Sequence, residues 1–373
     1  MGVKLKHRWS VSHNYLAGIT VRGWWRLLKE NRFRIAPAYW HRALFVTLIS
    51  LLNSWFRRRE EKRYGTQVLA TPIVRPPLFV LGHWRSGTTH LHNLIAEDRA
   101  QFAYANTYQV VNPHTFLTTE DDFSRRFSFL LPSTRPMDNM ALSFESPQED
   151  EFALLLDSFR SLYLGVSFPH RQVYYERYLT FRDVPRAEIE EWKASFLWFT
   201  QKLTFKYGDK AIVFKSPPHT ARVRLLLEMF PDAKFVHIHR HPYAVYRSLQ
   251  HYFDTAAWYM YLQKPDLEAL ERTILARYVA LNDALFADIP LIPAGQFHEI
   301  RYDDLDRDPV VQVGQLYEKL SLPGFEAFRP NLQRYVDSLS GYKKNEFREL
   351  PPDVREKVST HWRRCFEAWG YTP

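Results

Sequence analysis

Two glycines five residues apart, Gly82 and Gly87, follow a short apolar run and enclose His83, Trp84, Arg85 and Ser86. Glycines at that spacing, between a strand and a helix, let backbone N–H groups approach phosphate oxygens. The helix N-terminus adds a favourable dipole, so the frame predicts an anion site. An enzyme acting on nucleoside triphosphates wants Lys and then Ser or Thr directly after the second glycine. Here Thr88 and Thr89 stand there, and the cation, Arg85, comes three positions earlier. That displacement argues against an ATPase or a kinase.

A second pair of polar residues follows later in the chain. Arg240 ends an apolar run and Ser248 lies eight residues on, inside the next helical stretch. A strand-end guanidinium and a hydroxyl from the following helix can converge on one phosphate, and Arg offers a fork-like grip on its oxygens. Proton transfer from an attacking hydroxyl would need a base within hydrogen-bond reach. The segment Lys215-Ser216-Pro217-Pro218-His219 offers His219 as first candidate. His83 and the acidic run Glu149-Asp150-Glu151 are the alternatives; Ser146-Pro147-Gln148-Glu149 also reads as an ordinary helix start. His237, His239 and His241 alternate without a carboxylate or cysteine at ligand spacing, so a structural role is expected and no metal. Asp303-Asp304 lacks the loop context of a magnesium site and is expected to cap a helix.

These residues need elements to hold them. Leu78-Phe79-Val80-Leu81 suits a buried parallel strand, followed by a helix from near Gly87 with Leu91, Leu94 and Ile95 on one face. The pattern recurs at Ala211–Phe214, at Lys234–His239 with a helix opening at Pro242, and at Phe297–Ile300 with a helix from about Pro309. Strand, loop and helix in alternation predict an α/β fold with a central parallel sheet covered on both faces. Residues 1 to 75 read as an N-terminal helical addition, closed by the turn-rich Thr71–Pro77, and residues 76 to 373 as the catalytic domain. An aromatic-rich middle, from about 100 to 205, is expected to contain helices over Glu149–Phe159 and Glu188–Phe205 and the acceptor-side cover.

Arg85-Ser86-Gly87-Thr88-Thr89 after an apolar strand resembles the 5′-phosphosulfate loop of sulfotransferases that use 3′-phosphoadenosine-5′-phosphosulfate (PAPS). The cation before Ser-Gly-Thr-Thr is Arg in the tyrosylprotein and many bacterial members. The resemblance implies a three-layer fold like that of P-loop-containing nucleotide hydrolases and PAPS as co-substrate. It implies that Arg85 neutralises the departing bridging oxygen, and that Ser86, Gly87, Thr88 and Thr89 bind the 5′-phosphate. Arg240 and Ser248 match the family's 3′-phosphate element, and Lys215 matches a lysine that touches the sulfuryl oxygens. Aligned from Lys215, Pro217 stands where cytosolic members place their catalytic histidine, so that role does not carry over directly. Gly341-Tyr342-Lys343-Lys344 resembles only in character the basic loop that closes over the 3′-phosphate, with Lys343 the candidate contact.

The 373 residues, 46% of them hydrophobic, suffice for a large core, and the formal net charge of +9 favours anionic partners in general. A single cysteine, Cys365, excludes an intrachain disulfide and favours a reducing, cytoplasmic setting. The apolar stretch Ala43–Phe56 falls short of the roughly 20 residues a bilayer span requires. A packed helix is expected there, with an interfacial helix, flanked by the basic run at 57–63, as the alternative. The expected partner is a small-molecule, lipid or glycan hydroxyl acceptor, not nucleic acid, with peripheral membrane contact left open. The rival readings are a P-loop kinase or NTPase with a degenerate loop and a non-catalytic membrane-associated binding protein.

Overall fold

The computed structural model describes residues 5–12, 14–127, 143–341 and 349–373. Five parallel strands form one sheet: β1 (Leu78–Leu81), β2 (Phe102–Tyr104), β3 (Ala211–Lys215), β4 (Lys234–His239) and β5 (Phe297–Arg301). Their order is β2-β3-β1-β4-β5. β1 is central, with Leu78 opposite Val213 on one side and Lys234 on the other. From β1 the chain winds one way to β2 and β3, then the other way to β4 and β5. In open α/β sheets ligands usually bind at such a reversal, beyond the carboxyl ends of the strands, here those of β1 and β4.

Burial on both faces explains the unbroken apolar runs. Phe79 and Leu81 of β1 point into one cluster with Phe196, Phe214, Phe235 and Trp192, while Leu78 and Val80 point into another with Leu91, Leu94, Ile95, Val313 and Leu316. β2 is a strand that sequence patterning passes over. Phe102-Ala103-Tyr104 is too short to display a period, and its pairing with β3 makes it a strand. The helices expected near Glu149–Phe159 and Glu188–Phe205 occupy Glu151–Asp157 and Arg186–Tyr207.

The N-terminal helices α1 (Val21–Glu30) and α2 (Trp40–Leu69) pack onto the same core as the sheet. Tyr15, Leu16, Ile19, Trp24, Leu27 and Val46 share the cluster of Phe79. α2 departs from the ordinary packed helix expected of Ala43–Phe56. Its buried residues are Arg42, Val46, Ser50, Asn53, Glu60 and Val68, mostly polar, while its leucines face outward. The polar side chains find partners inside: Arg42 donates to the carbonyls of His7, Ser10, Trp258 and Tyr261, and Asn53 to those of Ala17 and Ile19. Among the described residues no helix is long and apolar enough to cross a membrane.

Glu60 ties α2 to the long helix Arg186–Tyr207. It pairs with Lys202 and accepts hydrogen bonds from the Thr118 backbone N–H and hydroxyl, at 2.9 and 3.1 Å. Burial pulls the Lys202 ammonium down to about 8 against the attraction of Glu60. Removing one partner strands the other charge. Glu60→Gln is therefore expected to lower unfolding stability by about 3 kcal/mol, read as a lower denaturant midpoint at constant slope. A midpoint within error of the wild type would show that the pair carries no such weight.

Candidate active site

The loop after β1 is held in a conformation that its residue types explain. Gly82 has φ +146°, and a Cβ there would lie 2.5 Å from the Ile238 carbonyl oxygen, so only glycine fits. Its N–H donates to Thr220 Oγ1 at 2.7 Å and its carbonyl accepts from the same hydroxyl at 3.2 Å. The turn after β3 thereby clasps the loop. Arg85 takes φ +70°, a left-handed conformation unfavourable for a side-chain-bearing residue and typical of strained functional loops. Gly87, at φ +107°, precedes helix α3 (Thr88–Ala96), with Tyr302 packed where its side chain would be. No side chain caps α3. Ser86 is buried and its Oγ has no hydrogen-bond partner. A buried hydroxyl without a partner beside an uncapped helix start fits a bound phosphate.

Arg85, Arg240 and Ser248 come together beyond the carboxyl ends of β1 and β4. Arg85 Nε donates to Ser248 Oγ at 2.8 Å, and Arg240 reaches the Arg85 carbonyl oxygen at 3.5 Å. Arg240 also lies over the Tyr302 ring, 4.2 Å from its centroid. The adjacency of β1 and β4 produces this convergence of residues far apart in sequence. The nearby histidines serve packing: His237 bonds Glu299 at 2.8 Å, His239 stacks on Trp369 at 4.8 Å, and His241 Nδ1 accepts from the Tyr243 N–H at 3.3 Å. Asp303 and Asp304 do not cap a helix as expected but fall in the first turn of Tyr302–Arg307, whose N-cap is Arg301, where their charge suits the helix dipole. Among the described residues no His/Cys/Asp/Glu group could hold a metal ion. Lys343 and Lys344 lie outside the described residues.

A row of three carboxylates faces the end of β3 and the segment after it, each matched to its own partner. Glu149 pairs with Lys215 at 3.0 Å, Asp150 with His219 at 2.5 Å, and Glu151 with Arg222 at 2.6 and 3.0 Å. Ser216 locks the register, its hydroxyl donating to Asp150 and accepting from the Glu151 N–H, both at 2.9 Å. Burial works against ionisation of Asp150, yet the contacts with His219 and Ser216 hold its carboxyl below the usual range.

The three carboxylates differ in what they can do. Glu151 and Arg222 are wholly enclosed. His219 is fully buried too, stacked on Phe196 at 5.2 Å and edge-on to Phe79 and Trp192. Its Nε2 is engaged by Asp150 and its Nδ1 is buried without a partner. His83 is likewise enclosed, its Nδ1 2.9 Å from the Trp84 carbonyl oxygen, and burial depresses its pKa to about 3. Glu149 alone of the row reaches solvent, with 13% of its side chain exposed. Its second oxygen accepts from the Tyr163 hydroxyl, which in turn accepts from Trp84 Nε1 at 2.8 Å. A chain of polar contacts thus runs from Lys215 through Glu149 and Tyr163 to Trp84 in the donor loop. Sequence reasoning missed Tyr163 and Tyr302; the only signal for Tyr163 was its place in the aromatic middle.

A parallel sheet with a glycine-framed anion loop, its cation at Arg85, defines a phosphate-loop fold turned to group transfer. The chain belongs to the sulfotransferase family: the model described as "Sulfotransferase family" matches residues 76–327. It is 38% identical over 354 residues to the omega-hydroxy-beta-dihydromenaquinone-9 sulfotransferase Stf3 of Mycobacterium bovis, covering 95% of this chain and 90% of that one. The protein of the same name from Mycobacterium tuberculosis matches equally. Two crystal structures share the fold. Sulfotransferase STF1 of Mycobacterium tuberculosis superposes with a TM-score of 0.64 at 17% identity over 92% of this chain and 91% of that one. STF9 of Mycobacterium avium gives 0.65 at 18% over 94% and 96%. The chain is therefore a sulfotransferase.

Proposed function

We propose that this enzyme takes its sulfuryl group from PAPS and delivers it to a terminal hydroxyl on a long, apolar lipid of the hydroxylated menaquinone class. The carrying observation is the 38% identity over 95% of the chain to a sulfotransferase named for such an acceptor. Beside Glu149 the rings of Trp84, Tyr163 and Phe152 pack together, an apolar neighbourhood compatible with such an acceptor.

In this reading Glu149 receives the acceptor proton as the oxygen–sulfur bond forms, and the sulfur–oxygen bond to the 5′-phosphate breaks on the opposite side. Arg85 meets the charge that grows on the leaving phosphate, and Lys215 faces the sulfuryl oxygens. Ser86, Gly87, Thr88 and Thr89 hold the 5′-phosphate. Arg240 and Ser248 hold the 3′-phosphate. The test is mass spectrometry of the enzyme incubated with PAPS and an ω-hydroxylated menaquinone. A sulfated quinone is expected, and faster sulfation of a phenol or a glycan than of the quinone would overturn the acceptor assignment.

Arg240→Ala is expected to weaken binding of adenosine 3′,5′-bisphosphate by about thirtyfold, roughly 2 kcal/mol, the worth of a hydrogen bond to a charged group. Turnover at saturating donor should change far less. Calorimetry measures the first, and unchanged affinity would remove Arg240 from the 3′-phosphate site.

A further inference from the structure

The outward face of α2 is the largest feature that sulfuryl transfer does not use. Trp40, Leu44, Leu48, Leu51, Leu52 and Trp55 are each between 55% and 62% exposed. At about 100° per residue they fall within roughly one third of the helix circumference, and they run for about 22 Å along it. Such a stripe is apolar surface of a size that marks an interaction site.

The helix cannot turn to hide this face. Its opposite side is pinned by the four carbonyl bonds of Arg42, the two of Asn53 and the Glu60–Lys202 pair. Rotation would bury the leucines only by stranding buried polar groups, which costs more than the apolar gain. The exposure is built into the fold.

Charge on the same face says what covers it. One turn beyond Trp55 the stripe passes into Arg58, Arg59 and Lys62, all exposed and in the same angular sector. The two acids of α2 point elsewhere: Glu60 is buried on Lys202, and Glu61 pairs with Arg57 at 2.6 Å. The same face of a second copy would offer apolar side chains but no carboxylate for this basic row. Tryptophan at both ends of the leucines, with exposed Trp9 against His41 beside the first of them, is the composition of a helix lying at a lipid–water boundary.

We infer that α2 seats the enzyme on an anionic bilayer surface, with the stripe Trp40–Trp55 sunk at the headgroup boundary and Arg58, Arg59 and Lys62 against lipid phosphates. The inference rests on α2 alone and survives failure of the acceptor assignment.

Flotation of the full chain with vesicles tests it. Wild type is expected to float with vesicles of equal parts phosphatidylglycerol and phosphatidylcholine, and more weakly with phosphatidylcholine alone. Leu48→Glu with Leu52→Glu should lower vesicle affinity about tenfold or more, since it puts charge into the buried part of the contact. Arg58→Glu with Arg59→Glu and Lys62→Glu should abolish the preference for the anionic vesicles and its sensitivity to salt. Calorimetric binding of adenosine 3′,5′-bisphosphate, expected to be unchanged, checks that each variant is folded. Absence of wild-type flotation would overturn the inference, as would variants that float like wild type. So would a dimer in light scattering that the leucine variant splits while wild type ignores vesicles.

Discussion

Arg85→Ala is expected to lower kcat by about a thousandfold, roughly 4 kcal/mol of transition-state stabilisation, with the protein still folded. Sulfuryl transfer resembles phosphoryl transfer in leaving the protein little covalent chemistry, so the rate depends on positioning and on neutralising the departing oxyanion. Arg85 is the cation of the loop, and its conformation is costly at φ +70°, a cost a stabilising backbone alone would not explain. Ser248 aims its guanidinium through the 2.8 Å bond to Nε. The affinity for adenosine 3′,5′-bisphosphate should fall much less than the rate, because charge matters most where it develops. A kcat within about threefold of wild type would end the assignment of Arg85 to the leaving group.

Glu149→Gln should also reduce kcat by about a thousandfold, within the range that general-base removal costs, while KM for the acceptor changes little. Glutamine keeps the shape and can still accept from the Tyr163 hydroxyl, but it also removes the charge opposite the buried Lys215, so the thermal midpoint must be read beside kcat. The geometry favours Glu149 over His219 because it is the solvent-reaching carboxylate of the row, paired at 3.0 Å with Lys215. His219 instead closes a buried polar knot with Asp150 and Ser216 under aromatic rings. If Glu149→Gln turns over normally while a folded His219→Ala is inactive, the base is His219 after all. Comparing kcat with the thermal midpoint of each variant separates a chemical role from a structural one.

The loop after β1 and its neighbours on β4 were legible because local sequence dictates them. Gly82 and Gly87 answer backbone demands, and Leu78–Leu81 and Lys234–His239 are strands buried on both faces, so the order strand, loop, helix could be read directly. Arg240 and Ser248 followed from that order. The row of carboxylates was less legible because its pairing spans long separations. Glu149 and Lys215 are 66 residues apart, and nothing near Glu149 distinguishes it from a carboxylate at a helix start. His219 drew attention as a lone histidine after a strand, yet its surroundings come from Phe79 on β1 and from Trp192 and Phe196 on the helix Arg186–Tyr207. α2 misled for a related reason. Composition showed an apolar stretch, and only tertiary contacts reveal that Arg42, Ser50 and Asn53 face inward.

The sharing of one core by Tyr15, Trp24, Val46 and Phe79, reinforced by the Glu60–Lys202 pair, bears on how such a protein can be inherited. A helical preface joined by a loose tether could be lost, swapped or fused elsewhere without harm to the enzyme behind it. Here, a gene shortened to begin after Pro77 would encode a sheet with one aromatic face bared and a lysine stranded beneath it. Chaperones and proteases would meet that product before any substrate did. In this chain the two parts are packed as one, and exchange at the proline-rich joint is expected to require matching changes on both sides of the shared core.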